Sequence, residues 1–439
     1  MKPTRIFGCL LTGVGVCLGM PVASADVEQM LWEDEIVFSE LECHTAPAGS
    51  QATYGVDKSS LVFPVAVQAN AADGWLSIEV NGAPCWISPD AVVIRSDQSG
   101  LPRGLTRSLN RKNFAVVKVH YATNRQATGN SKPDQHFLGG RGPLSFGTSE
   151  VSIPRDHRLG QLEQASLWRF EFNPDPSKHV VLMNVLPQTP AEFMAGVRER
   201  VNRSKSRSLF VFVHGYNVNF ADAARRTAQM TYDLGYDGAP VFFSWPSQAK
   251  LSGYLEDENN SEWSIPDLQV FLADLARQAH DGEIYLVAHS MGNRVATRAL
   301  TRLLSEQPAL RTRIKEILLI APDIDVDVFK RDLAPLLLQG NTRVTLYASS
   351  QDKALRTSKK LHGFPRLGDA APVTVLKGMD TIDASEVETD LLGHSYFAEA
   401  KNVLSDIFAV INERRPVSLR AWLTEVIGQS GKYWKFEKP

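Results

Sequence analysis

The segment Ile284-Tyr-Leu-Val-Ala-His-Ser-Met-Gly-Asn-Arg294 constrains this chain more than any other, because an aliphatic, β-branched run stops abruptly at a serine flanked by small residues. A strand that turns sharply into a helix strains its turn residue, so Ala288 and Gly292 must be small where the two backbones nearly touch. Beyond the turn, Val295, Ala299, Leu300 and Leu303 recur at helical spacing, which predicts a helix over Asn293 to Leu304. Strand, elbow and helix together lift the Ser290 hydroxyl above a sheet, where it can act as a nucleophile. Alanine at 288, where glycine is usual, adds one methyl group to the turn. The competing interpretation is an ordinary buried serine at a strand end.

The same alternation repeats along the chain from Phe114. Apolar runs at Phe114 to Tyr121, Ser208 to Val213, Val241 to Trp245, Ile284 to Val287, Ile317 to Ile320, Val344 to Ala348 and Val373 to Leu376 are bounded by turn residues. Helical spacing falls between them, around Phe193 to Val201 and at Ala221 to Leu234, Pro266 to His280 and Asn293 to Leu304. Near-continuous apolar strands separated by helices are what a parallel sheet covered on both faces requires, so the expected class is α/β with a mostly parallel central sheet. A Gly- and Pro-rich excursion from Gln126 to Pro154 has no strong period.

The region before it reads differently. Short alternating runs at Ile36 to Glu40, Leu61 to Gln68, Trp75 to Val80 and Cys85 to Ile87 are punctuated by Gly, Pro, Asn and Asp, which predicts a small all-β domain over 26–97. A polar linker over 98–112 leads to a catalytic domain over 113–415, and 416–439 reads as a tail. Lys2 and Arg5 precede an apolar stretch from Ile6 to Met20, too short for a membrane span, and Ala23-Ser-Ala25 fits signal-peptidase cleavage before Asp26. The expectation is an exported chain, periplasmic or secreted, with no transmembrane span after processing. Only Cys43 and Cys85 remain in it, and in an oxidising compartment an even pair within one small domain is expected to form a disulfide. Two buried thiols are the alternative.

Composition narrows the partners. The net charge is −2 over 439 residues, and losing Lys2 and Arg5 with residues 1–25 takes it to −4, so no nucleic-acid partner is expected. The basic run Arg203-Ser-Lys-Ser-Arg207 falls between a helix and a strand and reads as a solvated loop. No His-Glu-x-x-His, Cys-x-x-Cys, Gly-x-x-x-x-Gly-Lys or Gly-x-Gly-x-x-Gly follows a strand, so neither metal nor cofactor is implied.

With Ser290 as nucleophile, acid and base should follow in the order serine, acid, histidine. His362 and His394 are the histidines after Ser290. His394 lies beyond the last expected strand and ahead of a helix, and is taken as the base, whereas His362 precedes that strand in a Gly- and Pro-rich loop. Asp352, directly after the strand Val344 to Ala348, is the expected orienting acid; Asp323, Asp325, Asp380 and Asp383 are its rivals. The Met291 amide at the helix start and the Tyr216 amide are the expected oxyanion donors. Gly215 brings that second loop close to the serine, while His214 and His289 are expected to order their surroundings. The stretch Gln248 to Ser264 is expected to overhang an open cleft suited to short or medium acyl chains.

Val213-His-Gly-Tyr-Asn217, Phe243-Ser-Trp-Pro246, Ala288-His-Ser-Met-Gly292 and Gly393-His-Ser-Tyr-Phe397 resemble the α/β-hydrolase superfamily. Within it, Tyr121-Ala-Thr-Asn-Arg125, Val151-Ser-Ile-Pro154, Ala321-Pro-Asp-Ile-Asp325 and Ser349-Ser-Gln-Asp352 are similar to a bacterial esterase/lipase-like family known as domain of unknown function 900. That resemblance covers about residues 113–410 and implies an α/β-hydrolase fold and a serine hydrolase of unnamed substrate. Asp73-Gly-Trp-Leu-Ser-Ile78, Asn81-Gly82 and Cys85-Trp-Ile-Ser88 resemble the closing hairpin of bacterial SH3-like domains, which implies a small SH3-like barrel and contact with cell-wall peptides. The leading expectation is therefore a carboxylesterase or lipase-like enzyme acting on a small-molecule ester. A cell-wall amide or peptide hydrolase with the same triad, and a non-catalytic envelope-binding protein, are the alternatives.

Overall fold

The computed structural model describes residues 29–31, 40–44, 46, 52–57, 65–69, 75–80, 83–88, 113–165, 174–278, 282–387 and 401–437. Six short strands come first: β1 (Gln29–Leu31), β2 (Glu40–His44), β3 (Ala52–Asp57), β4 (Val65–Ala69), β5 (Leu76–Val80) and β6 (Ala83–Ile87). They form a sheet in the order β1-β4-β5-β6-β2-β3, with every neighbouring pair antiparallel. Cys43 on β2 and Cys85 on β6 lie on adjacent strands, with Cα atoms 4.8 Å apart, and are joined by a disulfide.

The main sheet is built from β7 (Phe114–Ala127), β8 (Phe137–Pro154), β9 (Val181–Gln188), β10 (Ser208–Val213), β11 (Ala239–Ser244), β12 (Glu283–His289), β13 (Ile314–Ile320), β14 (Arg343–Ala348), β15 (Met379–Asp383), β16 (Leu423–Gly428) and β17 (Gly431–Phe436). Their order is β16-β17-β15-β14-β13-β12-β10-β11-β7-β8-β9. From β17 across to β7 the neighbours run parallel, whereas β8, β9 and β16 add antiparallel edges. Seven helices matter here: α1 (Pro190–Arg203), α2 (Phe220–Asp233), α3 (Tyr254–Trp263), α4 (Ile265–Gln278), α5 (Gly292–Glu306), α6 (Lys353–His362) and α7 (Lys401–Ile411).

Because side chains alternate along a strand, each central strand serves two cores. Leu209, Val211 and Val213 of β10, with Ile284, Leu286 and Ala288 of β12, pack on Val197 of α1, Phe271 of α4 and Val295 and Leu300 of α5. Phe210, Phe212, Tyr285 and Val287 face the other way, onto Phe220 and Ala224 of α2 and Val403 and Ile407 of α7. Burial on both faces explains why these strands read as unbroken apolar runs. Among the described residues, no helix is long and apolar enough to cross a membrane.

Three expectations need correction. Most of the excursion from Gln126 to Pro154 is ordered strand: β7 continues to Ala127, and β8, 18 residues long, pairs with it antiparallel after a turn over 128–136. Its glycines hide the period, and Gly147 is there for space, since a methyl group would lie 2.4 Å from the Tyr121 hydroxyl. Val373 to Leu376 is not a strand; the parallel strand after β14 is Met379–Asp383, in register with Val344 to Ala348. Asp380 and Asp383 therefore lie within that strand instead of after it. The segment expected as a tail carries the β16–β17 hairpin, which widens the main sheet.

The loop after β8 is tied to α2 through a buried histidine. His157 lies 2.8 Å from Glu163 by Nδ1 and 2.9 Å from Asp233 by Nε2, with its side chain 3% exposed. Burial opposes its charge, but the hydrogen bonds and charges of Asp233 and Glu163 outweigh it and raise its pKa to about 9. A folded-state pKa above the unfolded value gives stability that is complete below about pH 6.5 and lost as pH rises through about 9. Denaturant unfolding should show the wild type losing roughly 3 kcal/mol between these limits. The His157→Gln variant should show a flatter profile, and equal losses in the two proteins would contradict the assignment.

Candidate active site

In the main sheet β10 lies between β11 and β12. The chain leaves β10 for β11 on one side and returns through α3 and α4 to β12 on the other. Beyond the carboxyl ends of two such strands lies the crevice where open α/β sheets bind ligands. The turns that meet there are His214 to Val218 after β10 and Ser290 after β12.

Ser290 has φ +51°, a left-handed conformation uncommon for a residue with a Cβ, which costs about 1–3 kcal/mol and persists only where the surroundings impose it. They do so through backbone bonds. The Ser290 amide donates to the Ile320 carbonyl at 3.0 Å, and its own carbonyl accepts from the Asn293 and Asp323 amides at 3.1 and 3.3 Å. Close approach supplies the rest: a methyl on Gly292 would lie 2.2 Å from the His214 carbonyl oxygen, and one on Gly215 would lie 2.8 Å from the Ser290 Cβ. Gly215 thus packs directly on the serine. Met291 is fully buried and caps α5, so its amide sits at the positive end of that helix.

The loop after β10 is held from two sides. His214 is buried and stacked on Trp245 at 5.0 Å, and its Nδ1 donates to the Gly215 carbonyl at 2.8 Å. That tautomer leaves Nε2 to accept from Ser244 Oγ at 3.2 Å and from Arg125 at 3.3 Å. Burial and the nearby Arg125 charge push the ring down to about 3, so it is neutral. Arg125 is the first anchor: its guanidinium donates to Ser244 Oγ at 2.8 Å and to the carbonyls of Ser247 at 2.9 Å and Val218 at 2.7 Å. Asp257 of α3 is the second, accepting from the Asn217 amide at 3.2 Å, the Gln248 amide at 2.6 Å and the Ser247 hydroxyl. Tyr216 donates its hydroxyl to the Leu251 carbonyl and packs its ring 5.3 Å from that of Tyr254. The 248–264 stretch is therefore a wall braced against the candidate oxyanion loop.

Asp352 follows β14 at the same end of the sheet, is fully buried and caps α6 by accepting from the Leu355 amide at 2.9 Å. His394 lies outside the described residues. The rivals are already engaged. Asp323 accepts from Ser358 Oγ at 2.6 Å and from the Tyr254 hydroxyl, and pairs with Arg294 at 3.3 Å. Burial opposes ionisation of Asp323, yet Arg294 and these donors hold its pKa below the usual carboxylate range. Asp325 caps a helical turn, accepting from the Asp327 amide at 2.9 Å; Asp380 lies 3.5 Å from Arg420; Asp383 accepts from the Ser385 amide at 2.9 Å. His362 ends α6 with Nδ1 donating to the Ser358 carbonyl at 2.9 Å and Nε2 lying 3.2 Å from Glu258.

Reasoning from the sequence overlooked Arg125 and Asp257 as anchors. The only signals were their membership of the Tyr121 to Arg125 motif and of an acidic run. Among the described residues, no group of three or more His, Cys, Asp or Glu side chains is placed to hold a metal ion.

A family model described as "Alpha/beta hydrolase of unknown function (DUF900)" matches residues 189–414. No curated protein matches the chain. Among solved structures, Aspergillus fumigatus lipase B aligns at 12% identity and TM-score 0.29, over 47% of this chain and 52% of the lipase, so the match spans about half its length. A Rhizomucor miehei esterase aligns at 12% identity and TM-score 0.29, over 74% of this chain and 88% of the esterase. Pyrococcus horikoshii acylaminoacyl peptidase aligns at 11% identity and TM-score 0.29, over 80% of this chain and 47% of the peptidase.

Proposed function

From the premise that the chain belongs to the α/β hydrolases of unknown function (DUF900), we propose that it is a serine hydrolase of carboxylesterase or lipase-like type. One observation carries the reading: Ser290 is held at φ +51° between a parallel strand and a helix, with Gly215 packed on its Cβ. In this mechanism His394 accepts the Ser290 proton as Oγ attacks the ester carbonyl carbon, and Asp352 holds the imidazole tautomer. The amides of Met291 and Tyr216 receive the developing oxyanion. Collapse expels the alcohol, which takes the proton from His394. Water, deprotonated by the same ring, then releases the acid from Ser290.

The wall formed by α3 is only 10 residues long, which favours an open cleft and short or medium acyl chains. A chain-length series of p-nitrophenyl esters on the purified full-length chain tests this, with turnover expected to peak at short or medium acyl groups. Release of amide from cell-wall peptides without ester turnover would replace the ester reading with the peptidase one.

The reading extends to the N-terminal sheet, taken as an SH3-like domain that contacts cell-wall peptides. Export is inferred from the basic and apolar residues 1–25, and the Cys43–Cys85 bridge is consistent with an oxidising compartment.

A further inference from the structure

A second cavity opens beside α5. Its volume is about 240 Å³, below the roughly 300–1,000 Å³ usual for drug-sized ligands, so it suits a small molecule. Its wall includes Arg294, Thr297 and Arg298 of α5, Glu258 of α3 and Arg366 of the loop after α6, with apolar surface from Ile324, Val328, Leu333 and Phe364. Neither Ser290, Met291, Tyr216 nor Asp352 lines it.

Most of the charges here are already paired. Arg294 donates to Glu258, to the Tyr254 hydroxyl at 3.2 Å and to the Asp323 carbonyl at 2.6 Å. Glu258 also faces His362, Arg298 pairs with Glu262, and Asp325 spends an oxygen on the Asp327 and Val328 amides. Arg366 differs. Its side chain is 4% exposed, and its Nε and Nη2 are buried with no hydrogen-bond partner among the described residues. The nearest carboxylate oxygen, on Asp323, is 3.4 Å from Nε and already accepts from Ser358.

Backbone contacts fix this position alongside the long ion pair to Asp323. Leu367 donates to the Ile324 carbonyl at 2.8 Å and Gly368 to the Pro322 carbonyl at 2.9 Å, so the 322–326 and 365–368 segments run side by side. A buried guanidinium with unused donors is costly unless something accepts from it. Planar, forked donors match the oxygens of a carboxylate or phosphate.

We propose that this cavity is a binding site for a small organic oxoanion, with its carboxylate or phosphate head on Arg366 and its apolar body against Ile324, Val328 and Leu333. The site stands apart from the proposed hydrolysis, so its test is a binding measurement and not an activity.

Isothermal titration calorimetry of the full-length protein with sodium butyrate, and separately with inorganic phosphate, is compared with sodium chloride at matched ionic strength. Saturable heat is expected with at least one of the two oxoanions and none with chloride. Butyrate alone assigns a carboxylate ligand, phosphate alone a phosphate ligand. Arg366→Met should weaken that binding by about tenfold or more, since it removes a charge-assisted donor pair. Val328→Phe, which fills the cavity and keeps every charge, should weaken it similarly and decides the matter if Arg366→Met does not fold. No saturable heat with either oxoanion, or undiminished binding in the folded variants, overturns the proposal.

Discussion

The Ser290→Ala protein is expected to lose fluorophosphonate labelling and about 10³-fold or more of ester turnover while keeping the wild-type unfolding midpoint. Stability should not change, because alanine keeps the Cβ that Gly215 packs against and meets the same φ of +51°. The loss is therefore chemical. His394→Ala should fall to a similar level, since nucleophile and base act as one unit, whereas His362→Ala should lose little. Asp352→Asn tests the proposed orienting role: asparagine caps a helix about as well as aspartate, so α6 keeps its Leu355 bond while the carboxylate proposed to hold the His394 imidazole is removed. A drop of about 10³- to 10⁴-fold with an unchanged midpoint is expected. Retained labelling in folded Ser290→Ala refutes the nucleophile, and normal turnover in Asp352→Asn refutes the acid.

The sharp turn at Ser290 and Gly292 was legible in the sequence because local backbone geometry dictates it: a strand that turns abruptly into a helix needs small residues at fixed offsets. The parallel strands were legible for a related reason, since burial on both faces makes Phe210 and Val211 equally apolar. What could not be read depends on distant partners. β8 is specified by its ladder to β7 and β9, and its Gly147 is placed by the close approach of Tyr121 and Leu186, not by any local pattern. Val373 to Leu376 has the better strand composition, yet pairing with β14 selects Met379–Asp383, where the half-buried Asp380 lies 3.5 Å from Arg420. The contacts by which Arg125 holds the loop after β10 lie 89 to 122 positions away, from His214 to Ser247, so no window of sequence could display that role.

Arg125 gives the largest expected effect on stability. Its fully buried guanidinium has no hydrogen-bonded carboxylate; it is held by the Val218 and Ser247 carbonyls and the Ser244 hydroxyl. Burial pulls its pKa down to about 9, with Asp257 and Asp222 opposing, so it remains charged at neutral pH. In the Arg125→Met variant the side-chain volume is largely kept, but the Ser247 and Val218 carbonyls lose their guanidinium donor, and His214 Nε2 keeps only Ser244 Oγ. At about 1–3 kcal/mol for each orphaned group, a loss of about 3 kcal/mol or more is expected from denaturant unfolding. Arg125→Lys should recover little, because one ammonium cannot reproduce a planar fork spanning several acceptors. A second consequence follows from what those acceptors do. Val218 and His214 belong to the loop that presents the Tyr216 amide, so releasing them lets that proposed oxyanion donor drift. Ester turnover by folded Arg125→Met should therefore drop by up to about 10²-fold, the size expected for one misplaced donor. A purely structural role would lower the unfolding midpoint and leave turnover per folded molecule unchanged. An unchanged midpoint would remove Arg125 from both roles, leaving Asp257 as the anchor of the loop.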